Sequence, residues 1–296
     1  MDPYTTDELK EKRIKKYIDR MPSLSTTAMK VTEVCNNPNT SPNDLNRVIS
    51  LDPVLTAKVL KLVNSAFYSL PHQITSLTRA IIMLGINTVK NLALSTAIMD
   101  AIHTKSLKTN FALDINAFWL HSLSVGVISK LLAEINEVPF IQRDQYFMAG
   151  LLHDLGKILL SNYFAEDYSA VVNLVKEEQI PLPVAEKRIM KTDHTMVGKM
   201  IAKKWRLDET ISSVLACHHT VWESNKEHMD ILRIVAIANT YSYILKTGSA
   251  GDDYPDTSGM QDMIEEAGFS EESFSKLNNI VQKEIEKASV FLEISN

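Results

Sequence analysis

Apolar residues recur at intervals of three and four along nearly the whole chain, and few alternating β-branched runs bounded by turns interrupt them. The pattern predicts an all-α protein. Helices are expected at about 6–20, 24–36, 43–50, 53–65, 75–84 and 87–103 in a first bundle. A second group follows at about 114–135, 144–160, 165–178, 183–190, 193–205, 208–219 and 228–246. Turn residues punctuate the series, as in P-N-T-S-P-N-D at 38–44, L-D-P at 51–53 and I-P-L-P at 180–183. Asp52 before Pro53 is a start signal, a capping carboxylate followed by a residue that needs no amide donor. T-G-S-A-G-D-D-Y-P-D-T-S-G at 247–259 reads as a loop, and an amphipathic helix at about 271–292 closes the chain. Asp252, Asp253 and Asp256 lack the glycine and closing glutamate of an EF-hand loop and read as an acidic turn.

Polar residues sit where this pattern calls for apolar ones. In N-A-F-W-L-H-S-L-S-V-G-V-I-S-K-L-L, His121 shares a face with Phe118, Val125, Ile128 and Leu132. His194 shares one with Val197, Gly198, Ile201 and Trp205. His218 continues the stripe of Ile211, Val214 and Leu215, with His219 one position later, and Asn239 continues Leu232, Val235 and Ala236. G-L-L-H-D-L-G-K-I-L-L at 150–160 places His153, Asp154 and Lys157 inside an apolar run. On a continuous helix His153 and Asp154 diverge by about 100°, so they flank one corner rather than share a stripe. A lone inward histidine usually just finds a hydrogen-bond partner. Five helices with such residues are different, because each unpaired buried polar group costs on the order of 1–3 kcal/mol. They are expected to converge on one another, on water or on an ion, as in metal sites of helix bundles. The imidazoles would then be nitrogen ligands and Asp154 a carboxylate able to bridge two cations. Lys157 either neutralises a phosphate oxygen or pairs with an acid such as Asp154.

Composition narrows the alternatives. The 31 basic and 36 acidic side chains give a net charge of −5, which argues against a broad grip on nucleic-acid phosphates. The basic run from Lys10 to Lys16 shares its helix with Asp7, Glu8 and Glu11 and reads as a solvated face. No apolar run approaches the roughly 18 residues that cross a bilayer, and the N-terminus has no apolar signal core. A cytoplasmic chain without a membrane partner is expected, with Cys35 and Cys217 as reduced thiols.

The H-D of G-L-L-H-D-L-G-K resembles the motif of the HD superfamily of metal-dependent phosphohydrolases. His121, His194 in an H-x-x-x-G context and the pair His218-His219 match the histidines of its two-metal HD-GYP branch, which cleaves cyclic dinucleotides. The Gly-Tyr-Pro expected after the paired histidines is absent, and the closing aspartate of the pattern is Asn239. M-P-S-L-S at 21–25, I-S-L-D-P-V-L-T-A-K-V-L at 49–60, V-N-S-A-F-Y at 63–68 and T-R-A-I-I-M-L-G at 78–85 are similar to the HDOD family. The resemblance implies a helical N-terminal part over 21–108 and a degenerate HD-like bundle over 109–246. Residues 1–20 form a charged helix before them, and 247–296 an acidic loop and helix after them. It also implies bacterial signal transduction.

The first expectation is therefore a non-catalytic regulatory domain acting through a signalling protein partner. The resemblance implies a site of His121, His153, Asp154, His194, His218, His219 and Asn239 for one or two divalent ions (Fe, Mn or Zn), weakened by Asn239 or left without metal. The alternative is a metal-dependent phosphohydrolase acting on a phosphate-containing small molecule. In it Asp154 and Lys157 serve catalysis, with Lys157 on the phosphate. A third reading takes residues 78–94 as a DNA-binding helix–turn–helix with its turn at Gly85. Its alanine-to-glycine spacing is five rather than the usual four, and Arg79 and Lys90 are its only basic residues, so nucleic acid is the least expected partner.

Overall fold

The computed structural model describes residues 6–21, 23–37, 39–103 and 112–295, and among them every regular element is helical. The N-terminal elements are α1 (Thr6–Arg20), α2 (Thr26–Asn36), α3 (Pro42–Ile49), α4 (Pro53–Val63), α5 (Leu77–Leu84) and α6 (Ile86–His103). Polar caps fix their starts. Ser41 and Asp44 form a reciprocal capping box on α3, and Asp52 accepts the Leu55 amide at 2.9 Å with Pro53 opening α4. On α1, Ile14 and Ile18 are buried against α12, so this helix is not solvated all round.

The centre of the molecule is α7 (Ile115–Ile135), which packs along α8 (Phe140–Leu152) and α14 (Met229–Ile244). By length and composition α7 is apolar enough to cross a membrane, which corrects the expectation that no such run exists; it is largely buried inside the bundle. Around it lie α9 (Leu155–Tyr163), α10 (Ala165–Glu178), α11 (Leu182–Met190), α12 (His194–Trp205) and α13 (Glu209–Cys217). After α14 come α15 (Met260–Glu266), α16 (Glu271–Ala288) and α17 (Val290–Ser295). The helix expected at 271–292 is thus interrupted at Ser289, and α15 lies between the 247–259 loop and that helix, where no element was expected.

The helix expected over 144–160 is two helices. His153 keeps helical angles, but Asp154 sits at φ −99°, ψ 12°, and α9 begins after it. The helix therefore breaks at Asp154, immediately after His153. Two glycine contacts bring these helices close. A Cβ on Gly150 would lie 2.8 Å from Gly126 Cα, so α8 crosses α7 almost backbone to backbone. One on Gly156 would lie 1.9 Å from the His194 carbonyl oxygen, so α9 meets the start of α12 equally tightly.

The segment read as a helix–turn–helix is α5, Gly85 at φ +87°, and α6, which begins at Ile86. Thr88 and Val89 are buried and every residue from Asn91 to Met99 is buried, so α6 is largely a core helix and leaves only Ile86, Asn87 and Lys90 partly open at its start. Thr88 instead donates to Asp144 of α8 at 2.6 Å. Asp144 also accepts from Lys130 of α7 at 2.8 Å and from Tyr68 at 3.2 Å, tying the N-terminal helices to the central ones.

Candidate metal centre

The inward polar residues gather in one region from several elements. His121 comes from α7, His153 and Asp154 from the α8–α9 junction, Lys157 from α9, His194 from the first position of α12, His218 and His219 from the end of α13, and Asn239 from α14. All are buried except His219, which is half-buried. Asp154, fully enclosed at 0% exposure, is the hub. Its Oδ1 lies 3.4 Å from His194 Nε2 and 3.5 Å from His218 Nε2. Its Oδ2 lies 3.2 Å from His153 Nε2, 3.6 Å from His121 Nε2 and 2.8 Å from the Lys157 ammonium.

The outer nitrogens of the imidazoles decide what faces inward. His153 Nδ1 meets the Gly150 carbonyl at 2.7 Å and His218 Nδ1 the Val214 carbonyl at 2.9 Å. His194 Nδ1 meets Glu186 Oε2 at 2.7 Å. Carbonyl and carboxylate oxygens only accept, so in each case Nδ1 carries the proton. His121 follows suit: the Ser242 hydroxyl donates to the Asn239 carbonyl at 2.7 Å and so accepts from His121 Nδ1 at 3.1 Å. With Nδ1 engaged in this way, each of these four rings turns its Nε2 toward the Asp154 carboxylate. The Nε2 atoms of His121, His153 and His219 and the Asn239 Oδ1 are buried without a hydrogen-bond partner.

The proton affinities reflect this. Burial pulls His121 down to about 3 and His218 to about 4, and pushes His219 well below the ordinary histidine range. For Asp154 burial works upward, but His153 and Lys157 outweigh it and hold the carboxyl well below its ordinary value. His194 is the exception: burial acts to lower it, and Glu186 overcomes that and raises it.

A cluster of lone pairs around a carboxylate is chemically suited to a divalent cation. The donors form two groups that share Asp154: one with His194, His218 and His219, the other with His121 and His153. In the first, His194 Nε2, His218 Nε2 and Asp154 Oδ1 are separated by 3.3, 3.4 and 3.5 Å. Ligands of a four-coordinate ion bound at about 2.0–2.1 Å stand about 3.4 Å apart. Three donors of the first group therefore have the spacing of a coordination shell, with His219 beside them. The second also holds the Lys157 ammonium against Asp154 Oδ2, and Asn239, close enough to act on the His121 ring, brings no charge.

Glu186 was not among the residues singled out in the sequence. It is fully buried on α11, accepting from Tyr168 as well as from both the backbone amide and the ring of His194. Leu182, Glu186 and Met190 follow one another at intervals of four, so the rule that found the histidines also marks Glu186 as a polar residue on an apolar stripe. Asp252, expected in an acidic turn, is buried, and its Oδ1 accepts the Leu182 amide at the start of α11. Cys217 is a free thiol; the side chain of Cys35 lies outside the described residues.

An all-α bundle with histidines and an H-D pair gathered around one carboxylate defines an HD-type domain. The HDOD domain family matches residues 21–221, and the chain belongs to that family. Its fold is shared with an HDOD domain protein from Geobacter sulfurreducens (25% identity, TM-score 0.76, 96% of this chain and 98% of that one). It is also similar to a protein from Marinobacter aquaeolei provisionally described as a signal transduction protein (20%, TM-score 0.70, 98% and 67%). A third similar structure, from Shewanella amazonensis, is provisionally described as a metal-dependent phosphohydrolase (19%, TM-score 0.62, 98% of both chains). The chain spans about half the length of the curated relatives it matches, 42% and 57%.

Proposed function

We propose that this HDOD protein is a regulatory domain that holds one divalent cation (Fe, Mn or Zn) as a structural or sensing element and acts through a signalling protein partner without turning over substrate. The observation that carries the reading is the Lys157 ammonium on Asp154 Oδ2. Asp154, His194, His218 and His219 would hold the ion on the Oδ1 side. On the Oδ2 side a second dication would compete with Lys157 for the same oxygen, and His121, His153 and Asn239 bring no second carboxylate to it. Burial supports the same conclusion. His121, His153, Asp154, Lys157, His194 and His218 are each no more than 2% exposed, so this conformation offers a nucleotide-sized molecule no approach to the donors.

A metal-dependent phosphohydrolase is the second reading, favoured by the number of unpartnered donor atoms. A bound ion would supply an acidified water and charge for the phosphoryl oxygens. In that case Lys157 would have to leave Asp154 to reach a phosphate, and the burial over His121 and Lys157 would have to open. Protein loaded with manganese, iron or zinc, then incubated with cyclic dinucleotides and nucleotides, tests the choice. The regulatory reading expects no turnover. Turnover that disappears in Asp154→Ala would establish the hydrolase instead.

A further inference from the structure

Among the described residues, the carboxylate behind His194 has no counterpart behind His121, His153 or His218. His153, His218 and His121 rest on neutral oxygens, of Gly150, Val214 and Ser242, whereas His194 rests on a carboxylate. Glu186 is 0% exposed and all its oxygens are used: Oε1 accepts from Tyr168 at 2.7 Å, and Oε2 accepts from the His194 amide at 2.9 Å and the His194 ring at 2.7 Å. The backbone and ring of one residue are thus gripped by a single oxygen, which fixes both the start of α12 and the plane of the imidazole.

We propose that Glu186, steadied by Tyr168, is the positioning residue of this centre: through His194 it supplies the second negative charge that Asn239 does not, and it directs the ion to the His194–His218–His219 side of Asp154. This rests on the metal-binding reading above. A carboxylate hydrogen-bonded to the far nitrogen of an imidazole holds the ring in one tautomer and makes the near nitrogen a stronger donor. The charge acts on the group whose donors already have coordination spacing, and opposite the side carrying the Lys157 ammonium. Asp154 and Glu186 together would balance a dication with one charge inside the shell and one behind it.

The test has two readouts on the full chain. In metal-free wild type, long-range proton–nitrogen NMR of the imidazoles is expected to find His194 with its proton on Nδ1. Cobalt(II) titration followed by its visible spectrum then compares wild type with Glu186→Gln and Tyr168→Phe. Glutamine keeps the length and can still accept from His194 while donating to Tyr168, so it removes the charge and leaves the packing. Glu186→Gln is expected to weaken cobalt binding by about 10- to 100-fold, with the unfolding temperature of the metal-free protein little changed; Tyr168→Phe is expected to weaken it less. Cobalt binding within about threefold of wild type in Glu186→Gln would overturn the role of Glu186 while leaving the metal centre standing. If wild type takes up no cobalt, the metal reading fails instead. A His194 proton on Nε2 overturns the positioning role in either case.

Discussion

Replacing Gly156 by alanine puts a methyl group where α9 meets α12. A Cβ there would lie 1.9 Å from the His194 carbonyl oxygen, 2.8 Å from its carbonyl carbon and 3.0 Å from the Gly198 amide nitrogen, all backbone atoms that cannot rotate away. To restore ordinary contact the two helices must separate locally by about 1.5 Å. Overpacking of this kind costs about 3 kcal/mol, and the better helix propensity of alanine returns about 1 kcal/mol. A net loss of about 2 kcal/mol remains. With an unfolding entropy of about 2.1 cal/mol/K per residue, the unfolding temperature of this chain should fall by about 3 °C. The larger effect is on the site. His194 opens α12, so the shift carries its Nε2 out of the group held at 3.3–3.5 Å from His218 and Asp154. Calorimetry with and without manganese reads both effects. Wild type at 100 times its dissociation constant should gain about 2.7 kcal/mol from the ion, and Gly156→Ala should lose most of that gain. Gly198→Ala is the comparison, since its Cβ would meet Leu215 at 3.1 Å and part of that contact is an adaptable side chain. It should cost less and keep the ion-dependent gain. A Gly156→Ala protein with the wild-type unfolding temperature and manganese response would refute the close-approach argument.

Three further outcomes are expected. Asn239→Asp adds a carboxylate beside His121, so reconstituted protein should carry more than the wild-type complement of metal by elemental analysis; an unchanged content would mean that Lys157 alone blocks the second position. Lys157→Met leaves buried Asp154 without its cation and should destabilise metal-free protein by about 3–5 kcal/mol in urea unfolding, with manganese restoring most of the loss; an equal loss with and without manganese would contradict the arrangement. In metal-free protein His121 and His218 are neutral when folded, with values of about 3 and 4, but protonate near 6.5 when unfolded. Their stabilisation is complete above 6.5 and lost as the pH falls, at up to about 1.4 kcal/mol per pH unit each. His194, whose value is raised, contributes the opposite way, losing its stabilisation as the pH rises above 6.5. Denaturant unfolding between pH 6.5 and 5 should therefore show falling stability, and constant or rising stability would show that these rings are already charged.

The helical character of the chain and the inward set of His121, His194, His218 and Asn239 are legible because helical period converts spacing directly into a face. The break at Asp154 is not. G-L-L-H-D-L-G-K runs on with apolar periodicity and no proline, and the turn sets the carboxylate among imidazoles that α7, α12 and α13 bring from elsewhere in the chain. Glu186 was readable by the rule applied to the histidines, yet its role depends on the turn after α11 bringing the start of α12 back onto it, which periodicity does not show. Burial of Asp252 is likewise invisible in a glycine- and aspartate-rich stretch, because its partner, the Leu182 amide, is 70 residues away.

The most direct test of the account is the metal content of wild type and Asp154→Ala, measured by elemental analysis on protein purified without chelators or nickel and then reconstituted with iron, manganese or zinc. The account predicts about one equivalent per chain in wild type, held by the His194, His218 and His219 side, and none in a variant that still unfolds cooperatively. Wild type that takes up no metal, or Asp154→Ala that takes up as much, would contradict it.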